Sequence, residues 1–291
     1  MIVAKPYTEE LVYVESEDGL LLEGVVIRPE GIESMPVPVV WIHGFTGKFY
    51  SMSTVTIGRE LAARGFTFVA GNNRGHDVGS RIRLRDGRTL LAGGWWERFD
   101  ESPNDVGAWV RFAAELEGND GRRPPGIALL GHSLGALKVP YYQAQRQDAR
   151  VLGLICASPP MKLRQPEPER VALAERMVAE GRGEDLLPRD PSRGGDPVSA
   201  QTFAARSRNR RDVYGVISTD PLIAQLRCPL FAFFGSEEPE IGAAPDLDLI
   251  RRNATAAPRV QTRMFEGANH SYTGHEAEVA AALAAWVATL G

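Results

Sequence analysis

The fold class this sequence predicts is α/β: a doubly wound, mostly parallel sheet with an N-terminal antiparallel hairpin and an inserted lid. Three observations predict it. Short apolar runs recur and close on small residues, namely VPVVWIHG, FTFVAG, IALLGHS, VLGLICAS, LFAFFGS and VQTRMFEG. Such runs are the pattern of strands buried on both faces. Helical segments alternate with them, which makes βαβ units and hence a parallel sheet. Ahead of the first run, the alternating segments LVYVESE and LLEGVVIRP flank Asp18-Gly19, the signature of a hairpin.

The elements follow in order. After VPVVWIHG comes a helical stretch around Met52–Arg64, stopped by Gly65. Past FTFVAG the rhythm breaks over residues 77–101, where Ile82 and Leu84 alternate with arginines around Asp86-Gly87. This predicts an extended loop or small hairpin insertion, followed by Trp95-Trp96. Ser102-Pro103-Asn104-Asp105 then reads as N-cap Ser, Pro at N1 and an acid at N3, opening a helix to about Glu117. A second break runs from Pro159 to Ser218, rich in arginine, acids and proline, with one amphipathic helix, PERVALAERMVAEG. The expected organisation is a core of residues 1–158 and 219–291, with residues 159–218 inserted as a lid.

Composition narrows the function. The 291 residues carry 33 Lys+Arg against 37 Asp+Glu, a formal charge of −4, so nucleic acid is not an expected partner. Of those basic residues 29 are Arg and 4 are Lys, which reads as codon usage. Cys156 and Cys228 sit in apolar strand settings, as free thiols of a reducing compartment do. The first residues lack a basic-then-apolar signal layout, and VAAALAAWVATL, at 12 residues, is too short to span a bilayer. A cytoplasmic protein without a membrane partner is expected. The oligomeric state is not legible.

The chemistry starts at Gly131-His132-Ser133-Leu134-Gly135, a G-x-S-x-G match between the run IALL and the helical stretch LGALKVPYYQAQ. Strand, turn and helix are the setting of a nucleophile elbow. Its sharp turn strains the serine backbone, so the neighbouring positions must be small. A serine hydroxyl needs a base. Of five histidines, His270 lies in a small-residue loop directly after VQTRMFEG, whereas His275 stands at the start of the last helix. The order Ser…acid…His points to GSEEPEIG, where Glu238 is the choice of acid, Glu237 the alternative and Glu240 a further carboxylate. Two N–H donors must await the developing oxyanion. Leu134 supplies one, and Phe45 of HGFTG, with Thr46 as the alternative, the other. His43 is expected to brace that loop.

With these residues in place, the chain resembles the α/β-hydrolase-fold serine hydrolases of the esterase, lipase and peptidase-like group. The resemblance rests on WIHGFTG (41–47), NNRGHD (72–77), LLGHSLGA (129–136), FFGSEEPEI (233–241) and GANHS (267–271), in family order. HGFTG is similar to the same segment of bacterial carboxylesterases of the cinnamoyl/feruloyl-esterase type. The resemblance implies a metal-independent, cofactor-free Ser–acid–His mechanism through an acyl-enzyme. It also implies a lid between the sixth strand and the next core helix. Glu238 stands where many relatives have Asp.

Trp95 and Trp96 are candidate substrate-binding walls, with anchoring of the insertion as the competing role. Arg206, Arg208, Arg210 and Arg211 read first as a solvated charge run. The leading function is hydrolysis of a small-molecule carboxylic ester. Thioester hydrolysis, amide cleavage and acyl transfer or cyclisation use the same machinery, and a non-catalytic ligand receptor is the alternative of a different class.

Overall fold

The computed structural model describes residues 6–118, 121–163, 166–189, 197–208 and 212–290. Eight strands form one sheet in the order β1-β2-β4-β3-β7-β8-β9-β10. The opening hairpin pairs β1 (Tyr7–Glu15) with β2 (Leu21–Pro29) in antiparallel register, and β2 runs antiparallel to β4 (Phe68–Gly71). From there every neighbour is parallel: β4 with β3 (Val39–Ile42), then β7 (Ile127–His132), β8 (Val151–Ala157), β9 (Leu230–Gly235) and β10 (Val260–Phe265). This is an α/β-hydrolase sheet, and all six parallel strands deliver their following loops to one edge.

The apolar runs form strands because both sheet faces are covered. Along β3, Val40 and Ile42 enter one core cluster while Val39 and Trp41 enter the other. The same period of two divides Leu154 and Cys156 from Ile155 and Ala157 in β8. One face is covered by α1 (Met52–Ala62) and α7 (Glu276–Val287), whose Ile57, Leu61, Leu283 and Trp286 are buried there. The other is covered by α2 (Ser102–Glu115), α3 (Gly135–Arg146) and α6 (Ala244–Asn253), through Trp109, Val139 and Ile250. Each large apolar side chain so buried contributes about 1.5–3 kcal/mol. Cys156 and Cys228 are buried and unpaired, and burial pushes their thiols up to about 12 and about 11. Among the described residues no helix is long and apolar enough to cross a membrane.

Two local readings change. Ser102 is not a cap: α2 begins at Ser102 itself, because a 3-10 turn over Phe99–Glu101 runs straight into it, and the Ser102 hydroxyl has no hydrogen-bond partner among the described residues. Among the described residues, the segment after β8 holds two helices instead of one, α4 (Pro168–Ala179) and α5 (Ala200–Arg208). Alternating small and polar residues hid α5, whose buried apolar side is Ala200 and Ala204, with Phe203 partly buried beside them. These pack with Ala174, Met177 and Leu187 in a small core separate from those of the sheet. The insertion after β4 forms the hairpin β5 (Ser80–Arg83) and β6 (Thr89–Ala92). Buried Arg74, in the loop after β4, fastens these parts. Its guanidinium meets Asp105 of α2, Asp18 of the first hairpin and Glu101, each at 2.8 Å.

Candidate active site

Ser133 sits at the tip of the turn between β7 and α3 with φ +54°, a left-handed conformation that non-glycine residues seldom hold. The turn is possible because its flanking residues lack side chains. A Cβ on Gly131 would lie 2.1 Å from the Gly135 carbonyl oxygen, and one on Gly135 would lie 2.2 Å from that of Ile42. The strain is held by neighbours: the Ser133 N–H donates to Ala157 O at 2.9 Å, and Ser133 O accepts from Ala136 N–H at 2.8 Å.

Glu238 and His270 come together from the loops after β9 and β10. Those loops are stitched by Ser236 N–H to Phe265 O at 2.9 Å and Glu237 N–H to Ala268 O at 3.0 Å. Glu238 is fully buried, and its Oε2 accepts from His270 Nδ1 at 2.6 Å. Its Oε1 accepts from the Gly235 N–H at 2.6 Å and from the Ser158 hydroxyl at 2.5 Å. Glu237 and Glu240 point into solvent. His275 stands at the start of α7, 3.4 Å from Glu278. A carboxylate on Nδ1 orients the His270 ring and leaves Nε2 for a proton acceptor's role.

The ring of His132 lies beside that of His270, with centroids 4.8 Å apart, and its Nε2–H donates to His270 O at 2.8 Å. Burial, with the neighbouring His270, pushes His132 down to about 4, so it is neutral near pH 7.

The loop after β3 approaches the elbow so closely that a Cβ on Gly44 would meet Ser133 Cβ at 2.7 Å and Leu134 N at 3.1 Å. Among the described residues, the N–H groups of Phe45, Thr46 and Leu134 donate to no partner. Free donors on two adjoining loops can receive an oxyanion. His43 braces the loop from beneath: Nδ1–H donates to Gly44 O at 2.8 Å, while Nε2 accepts from the Asn73 N–H at 2.8 Å. Burial and then the charge of Lys138 push His43 down to about 3, which keeps Nε2 an acceptor.

Lys138 and Glu97 were not legible as site residues, yet they form a buried ion pair between α3 and the insertion. Burial would raise the Glu97 carboxyl, but the Lys138 ammonium outweighs it and holds Glu97 below the usual range. One signal was available: a lysine inside the apolar helix LGALKVPYY must find a carboxylate. Ser158 and Tyr272 were missed as well. Both hold positive φ, +48° and +56°.

Trp95 and Trp96 lie where the insertion meets the segment after β8. Trp96 Nε1–H donates to Glu184 O at 2.9 Å, and Trp95 O accepts from the Ser199 N–H at 2.8 Å. The Trp95 indole N–H is buried without a partner among the described residues. Arg206 of α5 places its guanidinium 4.8 Å from the Phe45 ring and donates to Gly94 O at 3.2 Å. Of the other arginines in that run, the Arg208 side chain and all of Arg210 and Arg211 lie outside the described residues. Among the described residues no cluster of three or more His, Cys, Asp or Glu could hold a metal ion.

Comparison with known proteins agrees with this architecture. A model of the alpha/beta hydrolase family matches residues 39–282. No curated protein matches the chain in sequence. Among solved structures, the chain is similar to Est1E from Butyrivibrio proteoclasticus with bound ferulic acid. The TM-score is 0.66 at 18% identity, covering 95% of this chain and 97% of that one. A soluble variant of monoglyceride lipase from Saccharomyces cerevisiae, in complex with a substrate analogue, also gives 0.66. Its identity is 15%, with 99% and 97% covered. DcsB, in complex with its substrate analogue, gives 0.72 at 13% identity, with 98% and 100% covered.

Proposed function

Because the chain belongs to the alpha/beta hydrolase family, we propose that it hydrolyses a small-molecule carboxylic ester through an acyl-enzyme on Ser133. The observation that carries the reading is the 2.6 Å bond between Glu238 and His270, whose loop is tied by His132 to the turn that holds Ser133 at φ +54°.

In this mechanism His270 Nε2 takes the Ser133 hydroxyl proton as Oγ attacks the ester carbonyl carbon. Glu238 stays ionised and stabilises the imidazolium. The N–H groups of Leu134 and Phe45 hold the oxyanion, a contribution of about 3–4 kcal/mol per donor in comparable sites. His270 then protonates the departing alcohol, and water activated by the same histidine releases the acid. No metal or cofactor enters any step.

In this reading the described parts of residues 159–218 and the insertion at 77–101 act as lid and pocket wall, a role supported by the bonds of Trp96 to Glu184 and of Ser199 to Trp95, and by Arg206 against Phe45 and Gly94. The test is covalent labelling with a fluorophosphonate probe, followed by turnover of a panel of p-nitrophenyl esters, thioesters and anilides. The panel includes hydroxycinnamate esters, prompted by the ferulic acid bound to Est1E. Labelling with ester turnover supports the reading. Turnover confined to thioesters or anilides, or to added acyl acceptors, would move the chain to a thioesterase, amidase or acyl transferase. A chain that binds ligands but never labels would be a receptor.

A further inference from the structure

The end of β8 touches both halves of the site. Ala157 O accepts the N–H of Ser133 at 2.9 Å, and the next residue, Ser158, gives its hydroxyl to Glu238 Oε1 at 2.5 Å. The Ser158 oxygen is in turn bonded to the Tyr272 hydroxyl. Proton counting sets the direction of this chain. An ionised carboxylate only accepts, so the single Ser158 proton goes to Glu238, and the Ser158–Tyr272 bond must use the tyrosine proton. Tyr272 is fully buried, and burial followed by the nearby Glu238 charge pushes its phenol well above its ordinary value, which keeps that proton in place. Both residues keep φ near +50°, a strain that a purely packing role would not require.

We propose that Ser158 and Tyr272 are positioning residues, a relay running Tyr272 to Ser158 to Glu238 that fixes the carboxylate against His270. The inference rests on Glu238 being the acid. It supplies a reason why glutamate serves here. The side chain is one methylene longer than aspartate, with one more torsion to hold. Two donors on Oε1, from Gly235 and Ser158, leave Oε2 aimed at His270 Nδ1.

A double-mutant cycle tests it, with kcat and KM measured on the best ester of the panel. Ser158→Ala should lower kcat about 10–100-fold with KM within about twofold, the scale of a lost hydrogen bond to a buried charge. Ser158→Gly, which accepts the left-handed backbone but lacks the hydroxyl, should match it. Tyr272→Phe alone should cost about 3–10-fold in kcat, and nothing further in the Ser158→Ala background. In a Glu238→Gln background, Ser158→Ala should leave the residual kcat unchanged. Additive losses, a change confined to KM, or wild-type kcat in both Ser158 variants would overturn the relay while wild-type labelling of Ser133 left the esterase reading standing. A wild-type chain that neither labels nor turns over any panel member would overturn both.

Discussion

His132 donates from Nε2 to the backbone oxygen of His270 at 2.8 Å, so the residue before the proposed nucleophile holds the loop of the proposed base. The link joins the β7 turn to the β10 loop, each of which also has backbone bonds of its own, Ser133 N–H to Ala157 O and Ala268 N–H to Phe265 O. Its loss should therefore disturb alignment more than folding. His132→Phe keeps a ring against Trp41, which stacks on it at 5.7 Å, but removes the donor. It should lower kcat about tenfold, the order of one hydrogen bond, with the melting temperature little changed. A loss of stability with normal kcat in the folded fraction would make His132 a packing residue.

The three proposed catalytic side chains should separate cleanly from their neighbours. Ser133→Ala and His270→Ala should each lower kcat by on the order of 10⁴–10⁶. His275→Ala, altering a residue whose bonds among the described residues are to its own helix and turn, should be mild. Glu238→Gln should cost about 10³–10⁴, and Glu237→Gln or Glu240→Gln less than about tenfold. A severe loss at His275 with His270→Ala near normal would reverse the assignment of the base.

The tryptophans can be sorted by substrate preference. Trp96 is tied to Glu184, whereas the Trp95 indole N–H has no partner among the described residues. Trp95→Ala should raise KM or shift chain-length preference, costing roughly 1–3 kcal/mol of discrimination, with fluorophosphonate labelling retained. Trp96→Ala should shift preference too if it walls the pocket. A lower melting temperature with unchanged ester preferences would make either residue an anchor of the insertion.

The buried Lys138–Glu97 pair gives a stability test. Lys138→Met would strand the Glu97 carboxylate, with Arg206 its remaining cationic neighbour, at a cost of about 3–5 kcal/mol. Replacing both residues, Lys138→Met with Glu97→Leu, should recover most of that loss in urea unfolding. Equal destabilisation by the single and double variants would show that the pair's geometry, not its charge balance, holds the insertion.

Acid should destabilise the fold earlier than its carboxylates alone would. His43 and His132 are held neutral, near about 3 and about 4 against an ordinary 6.5. Their folded values lie below their unfolded ones, so below pH 6.5 the unfolded chain binds more protons. Stability then falls as pH drops from 6.5 toward those lower values. The carboxylates held low, Asp18, Asp77, Asp148 and Glu97, add their loss only below their ordinary 3.8–4.5. The melting temperature at constant ionic strength should decline steadily between pH 6.5 and 4.5. A flat profile across that window would contradict the neutral, buried state of both rings.

How much the sequence determined by itself follows from which interactions are local. The central strands β3, β4, β7, β8 and β9 were readable because burial on both faces demands unbroken apolar runs, whereas the edge strand β10 alternates between half-buried and exposed positions. The elbow was readable because its glycines answer clashes within a few residues, as Gly131 does against Gly135. The first hairpin and the second were readable from Asp-Gly turns at 18–19 and 86–87. Only the tertiary structure decided which of three neighbouring glutamates faces His270, since spacing along GSEEPEIG sets no direction. The turn after β9 buries Glu238 and exposes Glu237 and Glu240. Ser158 lies 80 residues from Glu238 and 114 from Tyr272, and no pattern links such positions. They meet because parallel strands bring their C-terminal ends to one edge, where a buried carboxylate must collect donors from every loop within reach.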